Sequence, residues 1–228
     1  MKNRIFTLLS IFALTTLVAQ NQNSSQDSNI FTSPNTSVLT SFNENLVGTV
    51  GTPFVEDFSL AKVTGYKENY LIRYDGHKDQ MQLKNFENQI IVIDKRTVSE
   101  VIFSNGSVYK VYDYNLKNDK KNGYLKQVKN NDKIALLKKE TVKFYPAKAA
   151  ESSYQTDRKA TYKRVDDIYL VYNKASNSIN SISKKKAFLS LFPEKKSELE
   201  KFLKSNKIKF SKEQDLIKLI DFLNSVAS

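Results

Sequence analysis

One imidazole, no thiol and a scatter of carboxylates limit the chemistry this chain can carry. His77 is the single histidine, and there is no cysteine among the 228 residues. Thiol nucleophiles and Cys–His pairs are therefore excluded, and a Ser–His–Asp triad would have to be built on His77. Zinc and related metals lose their two preferred ligand types. His77 lies in Tyr74-Asp75-Gly76-His77-Lys78-Asp79, the composition of a hairpin tip. A glycine and a lysine beside it argue for a solvated side chain rather than a base. Carboxylates occur singly or as near neighbours, Asp166 with Asp167 and Glu198 with Glu200. Two acids about 5–10 Å apart suffice for glycoside hydrolysis, so a hydrolase of envelope polymers stays open as an alternative, with Glu100, Asp166 and Asp167 as the acids to follow. Six glycines leave little material for a phosphate-cradling loop, and no EF-hand spacing occurs. No catalytic, metal or cofactor-binding residue is assigned.

Tyrosine is the other candidate. Tyr109, Tyr112 and Tyr114 lie on one strand-like run, and Tyr162, Tyr169 and Tyr172 on two later ones, with lysines nearby. Aromatic rings interleaved with cations can stack on sugars, bases or peptides. The same residues also pack pleated sheets with the hydroxyl at the rim, and that role is preferred. The six tyrosines stand as the ligand-binding candidates.

The net charge of +12 is carried almost entirely by lysine. Readers of nucleic acid lean on arginine, whose planar fork matches phosphate and guanine. Only Arg4, Arg73, Arg96, Arg158 and Arg164 are arginines, which argues against a nucleic-acid partner. The charge still favours contact with anionic surfaces.

Several kinds of element must position these groups. Between about Leu46 and Ile182, short runs rich in Val, Ile, Tyr and Phe end at Asn, Asp or Gly, as strands do. The clearest predicted strands are Tyr70 to Tyr74, Gln80 to Lys84, Gln89 to Ile93, Glu100 to Phe103 and Val108 to Tyr114. Gly123 to Val128, Ile134 to Lys138, Val142 to Tyr145, Ala160 to Val165 and Ile168 to Tyr172 continue the series. Turns are expected at Asp75-Gly76, Asn105-Gly106, Asn122-Gly123 and Asn130-Asn131-Asp132, and Asp166-Asp167 reads as another. Connections this short imply antiparallel neighbours, hence a β-meander curled into an open barrel or a two-layer sheet. Val108 to Tyr114 alternates imperfectly, with apolar and charged groups on both faces.

After Ser183 the apolar period changes from two to about 3.6. Ser183 is expected to cap a helix over Lys184 to Leu191, and Pro193 to open a second running to about Ser205. Ser211 and Gln214 form a capping box for a third, whose stripe is Leu216, Leu219, Ile220 and Leu223. The fold class is thus α+β and mainly β, a strand domain over 46–182 with a helical cap over 183–228. A helix-turn-helix reading of this tail is disfavoured, since it holds no arginine.

Ahead of these elements, Lys2 and Arg4 precede an apolar run from Ile5 to Val18 that closes at Ala19. This is the order of a secretory signal peptide cleaved near Ala19, and the run is too short to span a bilayer. Residues 20–45, rich in Asn, Ser, Gln and Thr, read as a flexible polar linker. An exported chain without cysteine has no disulfide framework and is stabilised by packing, and no later segment is apolar enough to cross a membrane as a helix.

Gly51-Thr52-Pro53-Phe54 followed by Asp57-Phe58, Arg73-Tyr74 followed by Asp79-Gln80-Met81, Phe144 to Lys148, Lys201 to Phe210 and Glu213 to Asn224 together resemble an exported Bacteroidota protein family of unknown function. The likeness covers most of the chain after residue 46. It implies an exported β-meander with a helical ending and no activity. The expectation is therefore a binding or structural protein of the cell envelope or medium, periplasmic or extracellular and peripheral to the membrane. Its partner is an anionic envelope component or another envelope protein.

Overall fold

The computed structural model describes residues 48–226, apart from 118 and 153. The expected signal peptide and the whole of the expected polar linker lie outside the described residues. The described residues form twelve strands. The first six are β1 (Ser59–Val63), β2 (Asn69–Asp75), β3 (Gln80–Lys84), β4 (Ile90–Val92), β5 (Glu100–Phe103) and β6 (Val108–Leu116). Then come β7 (Asp119–Asn130), β8 (Ile134–Lys139), β9 (Val142–Tyr145), β10 (Thr161–Arg164), β11 (Ile168–Asn173) and β12 (Ser178–Ser181). Ten make one sheet in the order β12-β11-β8-β7-β6-β5-β1-β2-β3-β4, while β9 and β10 form a separate antiparallel ribbon.

The sheet is antiparallel except where it closes on itself. There β12 meets β6 in parallel at Asn180 and Asn115, and the Asn115 amide donates to Asn180 Oδ1 at 3.2 Å. Strands β6, β7, β8, β11 and β12 thus form a five-stranded barrel. Tyr114, Leu125, Ala135, Leu137, Leu170 and Ile179 are buried together in one core of these strands. The remaining strands extend from β6 and bury Val63, Ile72, Met81, Leu83 and Val101 in a second core.

Both cores draw on β6 and β7. Tyr109 and Tyr124 belong to the second core, Tyr114 and Leu125 to the barrel. Residues an odd number of positions apart point to opposite faces of a strand, so β6 and β7 are a wall shared by two interiors. This explains the imperfect alternation of Val108 to Tyr114: neither face is a solvent face.

Three short helices close the outer side of the barrel: α1 (Lys185–Leu189), α2 (Lys196–Ser205) and α3 (Glu213–Val226), with a 3-10 turn over Pro193–Lys195. Phe188, Leu199, Leu216, Leu219, Ile220 and Leu223 are buried against Ile134, Leu136 and Val171 of the sheet. Polar links fix the seam. The Asn131 amide donates to Asp221 Oδ1 at 2.8 Å, and the Lys133 N–H donates to Asn224 Oδ1 at 3.0 Å. No helix among the described residues is long and apolar enough to cross a membrane.

Four local expectations need correction. Asn122-Gly123 lies inside β7 rather than at a turn, and the hairpin closes across the paired Leu116 and Asp119. Lys184, not Ser183, is the N-cap of α1, and it makes no side-chain capping bond. The third helix starts at Glu213, past the Ser211 capping box; Asp215 instead accepts the Lys209 N–H at 3.0 Å. Strands β1 and β12 are not among the clearest runs of the sequence, because Ser59–Val63 is short and holds Ser59 and Lys62 while Ser178–Ser181 is short and largely polar.

Near the start of the described chain, Arg73 is sandwiched between two rings. Its guanidinium carbon lies 3.2 Å from the Phe54 centroid and 4.3 Å from that of Phe58, and its Nε donates to Gln82 Oε1 at 2.8 Å. The contact holds the segment before β1 against β2 and β3.

Candidate functional site

Where the two cores meet, the turn after β2 brings Asp79 beneath the end of β8. The Asp75 carboxylate shapes that turn by accepting the N–H groups of His77 and Lys78 at 2.9 and 2.8 Å. Asp79 then takes a left-handed backbone conformation (φ 57°). Its carboxylate accepts from the Tyr74 hydroxyl at 2.7 Å, from Lys95 Nζ at 2.6 Å, and from Lys139 Nζ. Lys139 also donates to the Tyr74 hydroxyl at 2.9 Å and to the Tyr124 carbonyl at 3.2 Å, so all three of its protons are used. Burial pulls the Lys139 ammonium below the ordinary lysine range, against the opposing pull of Asp79.

Gly123 makes this arrangement possible. A Cβ there would sit 2.2 Å from Asp79 Oδ2. That carboxylate is held by two lysines and a phenol and has nowhere to swing. Gly123→Ala is therefore expected to lower the unfolding free energy by about 1–3 kcal/mol, as overpacking does, read as a lower urea midpoint with an unchanged slope.

A second cluster begins one residue further along. Glu140, 3% exposed, accepts from the Tyr109 hydroxyl and from Arg164 Nη2. Burial would raise its pKa, but the Tyr109 hydrogen bond and the charges of Lys126, Lys138 and Arg164 together hold it below the usual carboxylate range. Arg164 also reaches Asp167 at 3.2 Å. Lys138 lies 3.5 Å from Asp167 and 2.9 Å from Glu213 in the first turn of α3, where a carboxylate also suits the helix dipole. Tyr169 completes the chain with a hydroxyl donated to Glu213 at 3.2 Å. The two clusters touch through the Tyr74 and Tyr109 rings, 5.2 Å apart.

Two of the three acids singled out in the sequence are engaged in ion pairs. Asp167 is paired as above. Glu100 is paired with Lys110 at 2.9 Å, and the Lys110 hydrogen bond holds it below its ordinary range. Neither Glu100, Asp166 nor Asp167 lines the clefts at Ile134, Leu189, Leu203 or Ile179. No three His, Asp or Glu side chains come together as metal ligands among the described residues. His77 is exposed, with Nδ1 3.3 Å from the Val142 carbonyl and its ring edge-on to Tyr162 at 5.4 Å.

The candidate tyrosines do not all share a face. Tyr109 and Tyr114 are buried in different cores. Tyr112 accepts from Gln127 at 2.8 Å and meets Tyr172 edge-on at 5.8 Å, and both pack against the barrel core that holds Tyr114. Tyr172 donates to Asn177 at 2.9 Å, Tyr162 packs on Phe144 at 4.9 Å in the β9–β10 ribbon, and Tyr169 is spent on Glu213.

The helices present a different surface. One cleft of about 740 Å³ is lined by Lys185, Lys186, Leu189, Ser190, Pro193, Lys196 and Glu200. A second, of about 580 Å³, shares Lys185 and Glu200 with it and adds Lys201, Lys204, Leu203, Ile208 and Phe210. The two form one belt across α1 and α2. Among the described residues, none of the five lysines of this belt has a carboxylate within ion-pair distance. Sequence reasoning singled out none of them. The available signal was the Lys184-Lys185-Lys186 run followed by an α2 whose Lys196, Lys201 and Lys204 stay exposed while Leu199 and Leu203 are buried.

No family model, curated protein or solved structure matches the chain.

Proposed function

We propose that the chain is an exported, non-catalytic binding or structural protein of the cell envelope or medium, and that it meets an anionic partner through the lysine belt of α1 and α2. The observation that carries this reading is a contrast in how charge is used. The lysines and acids at the junction of the two cores are matched to one another, whereas the belt lysines face solvent around two clefts without a carboxylate partner. Unpaired ammonium groups clustered on one surface are a standing attraction for anions. The signal-peptide order of the leader and the resemblance to exported Bacteroidota proteins support a partner outside the cytoplasm, in the periplasm or beyond.

The test is fractionation of the expressing cell into medium, periplasm and membranes, followed by a salt wash of the membrane pellet. The expected result is protein lacking its leader that sediments with the envelope and is released by salt, because exposed charge contacts are screened within about a Debye length. Full-length protein retained in the cytoplasm would overturn the reading.

A further inference from the structure

We infer that the partner of the lysine belt is the headgroup surface of an anionic lipid bilayer, docked reversibly against α1 and α2. This rests on the belt being the anion-binding face proposed above.

Three features select lipid among anionic partners. Inside the ring of ammonium groups the two clefts hold hydrocarbon: Leu189 and Pro193 in one, Leu203, Ile208 and Phe210 in the other. Lysine stems add more, since they lie along apolar surface while the charge reaches outward. A bilayer surface supplies phosphate and hydrocarbon at neighbouring depths, as such a belt does. A nucleic acid would instead use the arginine fork and open stacking rings. No arginine follows Arg164, and the one ring in the belt, Phe210, packs against Phe188 at 5.8 Å.

The mode of docking follows from what is already buried. Phe188 and Leu199 of the two helices are sealed into the core, so beyond the cleft linings the helices have no apolar face left to insert. Binding is therefore electrostatic and peripheral rather than by immersion of an amphipathic helix. A lysine near an anionic membrane contributes about fivefold in partitioning, so five give a strong but salt-sensitive attachment. Glu200, the carboxylate that lines both clefts, opposes it.

The experiment is cosedimentation of the protein, purified from the envelope of its expressing cell, with phosphatidylglycerol–phosphatidylcholine vesicles and with phosphatidylcholine vesicles. Binding to the anionic vesicles alone is expected. The Lys185→Ser/Lys186→Ser/Lys196→Ser variant should weaken it about a hundredfold. A matched triple at the β6–β7 hairpin, Lys117→Ser/Lys120→Ser/Lys121→Ser, should change it little. Equal losses from both triples would mean that net charge, not this face, is read, and would overturn the inference. Failure on vesicles, with retention on immobilised polyphosphate that the first triple abolishes, would overturn the lipid assignment and leave the anion-binding face standing. Failure on both supports would remove both readings. Should the first triple not fold, Glu200→Gln serves instead: it should tighten vesicle binding severalfold, and an unchanged affinity would overturn the inference.

Discussion

Asp79→Ala lowers the unfolding free energy by about 3–5 kcal/mol, the expected cost of stripping the partner from a buried charge. The carboxylate it removes serves four donors: the Tyr74 hydroxyl, Lys95, Lys139 and the Tyr124 N–H. Lys95 can turn to water, but Lys139 is 9% exposed and would be left as an ammonium facing a phenol and one carbonyl. Pairing the change with Lys139→Met removes the stranded charge and should recover most of the loss, since apolar replacement of a buried ion pair is often close to neutral. The coupling from this double-mutant cycle is the quantity to measure, by urea denaturation at pH 7. A single-variant loss below about 1 kcal/mol, or a double variant no better than Asp79→Ala, would show that the pair does not form. Gly123→Ala acts on the same carboxylate, so its cost should be far from additive with that of Asp79→Ala.

High pH should unfold the protein over a narrow range. Tyr74, Tyr109, Tyr114 and Tyr124 are each less than 7% exposed. Burial pushes all four phenols up, Tyr114 to about 12 and the others beyond it, with the Asp79 or Glu140 carboxylate adding to the effect. In the unfolded chain these phenols ionise near 10. Between that value and their folded values the native state holds more protons than the unfolded state, so stability falls as pH rises. Each group contributes about 1.4 kcal/mol per pH unit. Four together therefore exhaust an ordinary domain stability of about 5–15 kcal/mol within roughly one to three units above pH 10. Phenolate absorbance and far-ultraviolet circular dichroism, followed together against pH, check this. The buried phenols should ionise in one steep step as the dichroism is lost. Gradual ionisation near pH 10 with the dichroism intact would mean that these rings are not in the core.

Much of the strand content was readable because Val, Ile and Tyr cluster between Asn, Asp and Gly, and these residues fit a half-buried pleated surface. What could not be read depends on residues distant in the chain. Gly123 looks like a turn residue next to Asn122, and only Asp79 arriving from the β2–β3 turn explains a glycine inside β7. Ser178–Ser181 has a single large apolar residue, Ile179, and is a strand because β11 on one side and β6 on the other offer it hydrogen bonds. The junction clusters had no local signature at all, since their carboxylates, lysines and phenols come from separate strands and turns. The helical cap was legible from its apolar stripes, but the lysine belt lies on the solvent side, where patterning marks only the absence of a core. The tyrosines drew notice as a composition, and the fold distributes them among two interiors, a barrel rim, a ribbon and a helix seam.

The wall shared by the two interiors bears on the order in which the chain condenses. The β6–β7 hairpin joins residues adjacent in sequence, so it closes with little loss of loop entropy. Both halves can then collapse onto a surface already in place. The parallel rung between Asn115 and Asn180 spans 65 residues and has nothing to join until β7, β8 and β11 have been laid down. Weakening the hairpin should therefore slow the search for the native state, whereas weakening the rung should mainly hasten escape from it. On this order the barrel is shut last, at the seam between Asn115 and Asn180.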